Sequence, residues 1–175
     1  KLLTEFRASG GTVVFAGDVA DHIDAQPSDA ATLFAADCIR TAPTGKSLVA
    51  AVEGTRRLSI ADGKGREINP ALYLLREDNQ AMYLFVCNTG TRMEGPSQED
   101  PLTRDRKLSF PDVTVTGFDG CAGAPVELDP DTGAIYRCHA KRSRDGWAID
   151  TSLDEIGSRL FVIPKKRGGI KAANR

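Results

Sequence analysis

The sequence has no excess of charge of either sign: 23 Lys plus Arg stand against 24 Asp plus Glu, a formal net charge of −1 in 175 residues. Nucleic-acid and membrane-surface binders draw affinity from an excess of positive charge, so neither partner is expected. No apolar run approaches the roughly 20 residues that cross a bilayer, so no membrane span is expected. Histidine is scarce. His22 and His139 are the two in the chain, and no Ser or Cys stands with a histidine and an acid beside it, so no triad is announced. The cysteines Cys38, Cys87, Cys121 and Cys138 form no CxxC pair, which argues against zinc. Four free thiols are the default, although Cys121 and Cys138 could meet across neighbouring strands. Cys87, inside an apolar run, reads as a small hydrophobe. Neither a metal nor a cofactor is expected. What is present, 41% hydrophobic and 27% charged residues, is the balance of one globular domain or two small ones.

The chain opens in a helical pattern. Leu2, Leu3 and Phe6 share one face, and Gly10-Gly11 stops it. A start inside a helix, at Lys1, is expected of a piece of a longer protein, and nothing in the sequence indicates a compartment. Thr12 to Ala16 reads as a buried strand, which makes helix, glycines and strand the grammar of a parallel α/β sheet. A second helix is expected from Ser28 as N-cap through Leu33, Phe34 and Ile39, and a third over Ser47 to Glu53. Only one clear strand is visible in this part.

From about Arg57 the period changes. Leu58 and Ile60 lead to a turn at Asp62-Gly63. Ala71 to Arg76 and Met82 to Asn88 predict a hairpin, the second strand central in its sheet because it is apolar on both faces. Thr89 to Lys107 reads as a long surface loop. Val113 to Thr116, Val126 to Leu128, Ile135 to Ala140, Trp147 to Thr151 and Leu160 to Ile163 predict short strands. Turn signals separate them at Asp129 to Gly133, Arg144-Asp145-Gly146 and Glu155 to Gly157. The fold class is therefore α+β: a partial α/β segment over 1–66, an antiparallel β-sandwich over 67–164, and a basic tail or linker over 165–175.

Several motifs imitate chemistry. Pro43-Thr44-Gly45-Lys46-Ser47 ends like a phosphate-binding loop, but Arg40 stands where its first glycine belongs, so a turn and helix start is the plainer reading. Asp18, Asp21, His22 and Asp24 crowd the loop after the first strand, where ligands of α/β sheets bind; a polar loop is the ordinary alternative. Asp129, Asp131 and Gly133 start like a calcium loop, yet the twelfth position is Ala140 rather than Glu, which favours a hairpin turn. Trp147, with Tyr136 and Tyr73, could stack on a sugar ring. In the alternation Trp147, Ile149, Thr151, core packing is the competing role.

Glu5-Phe6-Arg7-Ala8-Ser9-Gly10-Gly11-Thr12-Val13-Val14-Phe15-Ala16-Gly17 and then Pro27-Ser28-Asp29 resemble the end of the amidotransferase-like, flavodoxin-like domain of large bacterial glycoside hydrolases, α-L-rhamnosidase-like or β-galactosidase-like. Leu72 to Arg76 with Tyr83 to Thr89 resembles the hairpin that opens their β-sandwich. Pro125 to Ile135 resembles their Asp-Pro turn, with Leu128 in place of an aromatic. Gly157 to Ile163 resembles their closing strand, without its proline near Glu155-Ile156. The resemblance implies a non-catalytic accessory segment that supports a catalytic barrel in carbohydrate degradation. The catalytic carboxylates belong to that barrel, so no catalytic residue is carried over. Other domains of the same polypeptide are the implied partners, with carbohydrate a further one. Arg76 and Asn88 would satisfy carbonyls where the hairpin meets the α/β part. Two rival functions are a free-standing carbohydrate-binding module using Trp147 and Tyr136, and a small hydrolase using the Asp18–Asp24 loop.

Overall fold

The computed structural model describes residues 2–144, 146–168 and 170–173, except the side chains of 102 and 103. Lys1, Asp145 of the Arg144–Gly146 turn, Gly169 and the last two residues of the tail lie outside the described residues. The chain divides into two compact units, 1–56 and 57–175. The division precedes residue 66 because Leu58 to Asp62 is a full strand of the β-rich unit, paired along its length.

The first unit contains α1 (Leu2–Ala8), β1 (Val14–Ala16), the short pair β2 (His22–Ile23) and β3 (Gln26–Pro27), α2 (Ala30–Ala36), β4 (Ile39–Thr41) and α3 (Gly45–Val52). Strands β1 and β4 pair in parallel, Val14 opposite Ile39. The parallel α/β expectation holds, but with a second strand. Ile39, read as the last apolar position of a helix, belongs to β4 because α2 ends at Ala36. The N-cap of α2 is Asp29 rather than Ser28; the Ser28 hydroxyl accepts from the Ala30 N–H at 3.3 Å. Thr44 caps α3, its Oγ1 accepting from the Ser47 N–H. The Pro43–Ser47 motif is therefore a helix start.

The second unit begins with β5 (Leu58–Asp62), β6 (Ala71–Glu77), β7 (Ala81–Asn88), β8 (Thr91–Met93), α4 (Pro101–Arg104), β9 (Asp105–Lys107) and β10 (Phe110–Gly117). It continues with β11 (Val126–Leu128), β12 (Ile135–Arg137), β13 (His139–Ser143), β14 (Gly146–Leu153) and β15 (Ser158–Pro164). One antiparallel sheet has the order β13-β14-β10-β5, the other β12-β11-β15-β7-β6. The segment read as a surface loop, 89–107, contains a hairpin of β8 with β9 and the single turn α4. Its polar composition hid it, because all of β8 is exposed.

Side-chain parity assembles the core between the sheets. Ile60, Val113, Val115, Ile149 and Leu153 from one sheet meet Leu84, Val86, Phe161 and Ile163 from the other, each 4% exposed or less. Gly117 and Gly146 take positive φ where β10 and β14 meet, at +132° and +115°. A Cβ on Gly146 would strike the Gly117 carbonyl, so glycine is required there. A smaller cluster, Ala81, Val126 and Val162, lies outside the second sheet with Ala172 packed against it. The tail, expected as a solvated end, is thereby tied down: the Ala173 N–H donates to the Ile135 carbonyl, and the Arg137 N–H donates to that of Ala173, both at 2.9 Å.

Candidate functional site

Ile135 to Ala140, read as one strand, is two. Arg137 ends β12 in one sheet, His139 starts β13 in the other, and Cys138 alone spans the crossing. Beside this crossing the sheets leave a cleft of about 580 Å³. Parity selects what enters it. Glu127 on β11 faces Phe161 in register, and Arg159 stands two residues before Phe161, so all three share the inner face. Ile149 and Phe161 lie beneath it as part of the core, with next to no accessible surface of their own, and Arg137, His139, Asp150, Thr151 and Ser152 lie along its rim.

Arg159 organises the cleft. Its Nε donates to the Ser152 carbonyl at 3.0 Å and its Nη1 to Glu127 at 3.4 Å. Its Nη2 donates to the Ser152 hydroxyl at 3.2 Å and to Asp154 at 3.1 Å. The Arg159 and Glu127 side chains are only 15% and 14% exposed. Charges so far from water persist only when paired, and loss of one partner would strand the other. Asp150 accepts from the Thr114 hydroxyl at 3.2 Å and lies 3.5 Å from the Lys141 ammonium. Asp150 alternates with the inward Ile149 and Thr151, so its carboxylate lies on the outer face of the first sheet, and it does not face Glu127 as the paired carboxyls of a glycosidase face each other.

Burial, with a smaller contribution from the Glu127 charge, pushes the Cys138 thiol up to about 12. It stays protonated and is no nucleophile at neutral pH. Burial also raises Cys121, whose thiol donates to the Ile163 carbonyl. All four cysteines are free.

Trp147 sits at the opposite end of β14, half-buried against the core. The Arg142 guanidinium lies 4.5 Å from its ring centre and donates to the Cys121 and Ala122 carbonyls at 2.9 Å each. One ring face is therefore already covered by a pinned cation. The indole N–H is buried without a hydrogen-bond partner among the described residues. Tyr136 is half-buried on β12 opposite Glu127, and Tyr73 is exposed on the edge strand β6. The three aromatics do not converge on one surface patch: they lie on β14, β12 and β6.

Arg76 is exposed on β6. Asn88, 1% exposed, is the one buried polar residue among the described residues of the second unit. Its Nδ2 donates to the Leu108 and Asp154 carbonyls at 2.6 and 2.8 Å, and its Oδ1 accepts from the Gly90 N–H at 2.9 Å. These bonds tie the end of β7 to the loops before β10 and β15, all inside the second unit. In the acidic loop, Asp21 meets His22 at 2.7 Å. Asp18, Asp21, His22 and Asp24 are all solvent-facing or nearly so, and no group of three His, Cys, Asp or Glu among the described residues is placed to hold a metal. At Asp129 the carboxylate accepts from the Asp131 and Thr132 N–H groups, which makes this segment a turn.

Sequence reading passed over Arg159 and Glu127. The signal was available: within Ser158 to Ile163, Arg159 takes the same parity as Phe161 and Ile163, and a charge at an inward position needs a partner.

No family model matches the chain, and no curated protein matches it. Among solved structures, it is similar to a rhamnosidase from Novosphingobium sp. PP1Y, with a TM-score of 0.58 and 12% identity. The match covers 99% of this chain and 16% of that one, so the chain spans about a sixth of the rhamnosidase. At that identity the likeness establishes a shared fold: the α+β arrangement of a segment in a glycoside hydrolase.

Proposed function

We propose that this chain is a non-catalytic accessory segment of a bacterial glycoside hydrolase-like protein, which packs against and orients a catalytic barrel of the same polypeptide. One observation carries the reading: apolar surface left uncovered where a lone domain would bury it. On the outer face of the second sheet, Leu72, Leu74 and Phe85 are 57%, 53% and 40% exposed, with Leu74 directly opposite Phe85. Leu72 and Leu74 are on the edge strand β6 itself, whose open hydrogen-bonding side is a liability unless something covers it. The first unit repeats the pattern. Leu2, Phe6, Leu33 and Val49 are each more than half exposed, as expected of the end of an amidotransferase-like domain whose other layers lie elsewhere. The fold shared with a segment of a rhamnosidase supports the same assignment.

The test has two arms. The isolated chain is assayed against a panel of aryl glycosides and is expected to leave all of them intact; turnover abolished by Asp18→Ala would overturn the reading in favour of the acidic loop. In the whole polypeptide, the pair Leu74→Lys and Phe85→Lys is expected to lower the melting temperature and expose β6 to protease, with unchanged stability counting against docking.

A further inference from the structure

The two sheets end in four edge strands, β13, β5, β12 and β6, and three of them are closed or guarded. Residues 66–68 pair along β5: the Asp62 N–H donates to the Arg66 carbonyl and the Ile68 N–H to that of Ile60, each at 2.9 Å. Ala173 bonds to β12. β13 carries Lys141 and Arg142, charges that resist pairing with a further strand. Among the described residues, β6 has neither a cover nor a charge along Leu72-Tyr73-Leu74-Leu75.

Its backbone is open in a definite phase. The Asp78 N–H donates to the Ala81 carbonyl and the Thr89 N–H to that of Pro70. Hydrogen-bonded pairs alternate along an antiparallel ladder, so in the observed register Leu72, Leu74 and Arg76 bond to β7. The peptide groups of Tyr73, Leu75 and Glu77 point the other way and meet no backbone partner there among the described residues. Both faces of the strand are bare as well. Leu72 and Leu74 lie on the outer face and Tyr73 on the inner, and the three are 57%, 53% and 51% exposed. A helix or loop laid on the outer face would cover the leucines but leave Tyr73 and the open peptide groups in water. A strand added in the plane of the sheet covers all of them.

We infer that β6 accepts one more strand, an extended segment from elsewhere in the same polypeptide, which carries the second sheet into the body it docks against. This rests on the docking reading and specifies its geometry. The open edge is continuous with the Leu72, Leu74 and Phe85 patch, and a polypeptide on the scale of the rhamnosidase, matched over 16% of its length, has ample chain to supply the strand. Charge narrows the partner. Arg76 shares the outer face with the two leucines and has no partner among the described residues, so the incoming segment alternates apolar side chains and places an acidic one beside Arg76. A second copy of β6 cannot supply that acid: its Glu77 has the opposite parity and is held by Arg57 and Lys165.

Amide hydrogen exchange is measured in the isolated chain and in the whole polypeptide, by mass spectrometry with fragmentation that resolves single amides. Tyr73 and Leu75 are expected to slow on the order of 100-fold in the whole polypeptide, while Leu72 and Leu74, already bonded to β7, change little. Arg76→Glu is expected to cut that slowing by about fivefold. Tyr73→Pro removes one outward donor where an edge strand tolerates proline; it is expected to lower the melting temperature of the whole polypeptide far more than that of the isolated chain, and equal losses count against the inference. If Tyr73 and Leu75 exchange equally fast in both, the edge is unpaired and the inference falls. Face docking would then still stand wherever Leu74→Lys with Phe85→Lys destabilises the whole polypeptide. Slow exchange already present in the isolated chain, rising with concentration alongside a dimer mass in light scattering, assigns the edge to a second copy and overturns the inference too.

Discussion

The two units answer the same folding problem with different success. In the second, two sheets bury side chains from both inner faces, and Leu84, Ile149 and Ile163 reach 0% exposure. In the first, Ala35 is the one buried hydrophobic residue among the described residues, and two parallel strands of three residues each carry three helices. A parallel sheet needs cover on both faces and several strands to hold it. The contrast teaches that regular secondary structure and a stable domain are separate achievements.

The sharpest way to break the comparison is to divide the chain. Residues 57–175 alone are expected to unfold cooperatively with β-type circular dichroism, whereas 1–56 alone are expected to show no cooperative transition; a folded 1–56 would erase the distinction. Next in size are core truncations. Ile149→Ala should cost ~3 kcal/mol in denaturant titration, while Leu33→Ala, at a residue 65% exposed, should stay within about 0.5 kcal/mol. Asn88→Ala comes third, at ~2 kcal/mol, because it leaves two carbonyls and an N–H without their partner. Hydrogen exchange should rise first at Gly90 and Leu108.

The smallest effects are in pH dependence, and they too should belong to the second unit. Its Arg66 side chain, then the Arg66 backbone, hold Asp62 at about 2, below the ordinary 3.8. A depressed carboxylate stabilises the fold above 3.8, and that contribution is lost as pH falls towards 2. Asp62→Asn should flatten the acid limb of a melting-temperature profile in that interval. Cys138 works at the other end. With its thiol at about 12 against an ordinary 9.0, the folded state retains a proton that the unfolded chain releases. Stability should fall as pH rises from 9 towards 12, and less so in Cys138→Ala.

Strands with strong alternation were legible in the sequence: Val126 to Leu128 coincides with β11, and the Ala71 to Asn88 hairpin matches in both strands and turn. What escaped had local reasons. Ile39 follows α2 so closely that its apolar side chain continues the helical period. Thr91 to Met93 pairs without burying anything, so it leaves no hydrophobic trace. The break at Cys138 could not be seen because both halves are short and apolar residues alternate through it. The cleft was illegible for a related reason: it exists only because Glu127, Arg159 and Thr151, on three different strands, take inward parity in two sheets.

The one-residue crossing at Cys138 also has a mechanical meaning. With Arg137 hydrogen-bonded in one sheet and His139 in the other, neither sheet can slip by a residue without dragging its opposite out of step. The two layers are geared together at that edge, so a folding chain that pairs β13 with β14 correctly has already set the position from which β12 must run.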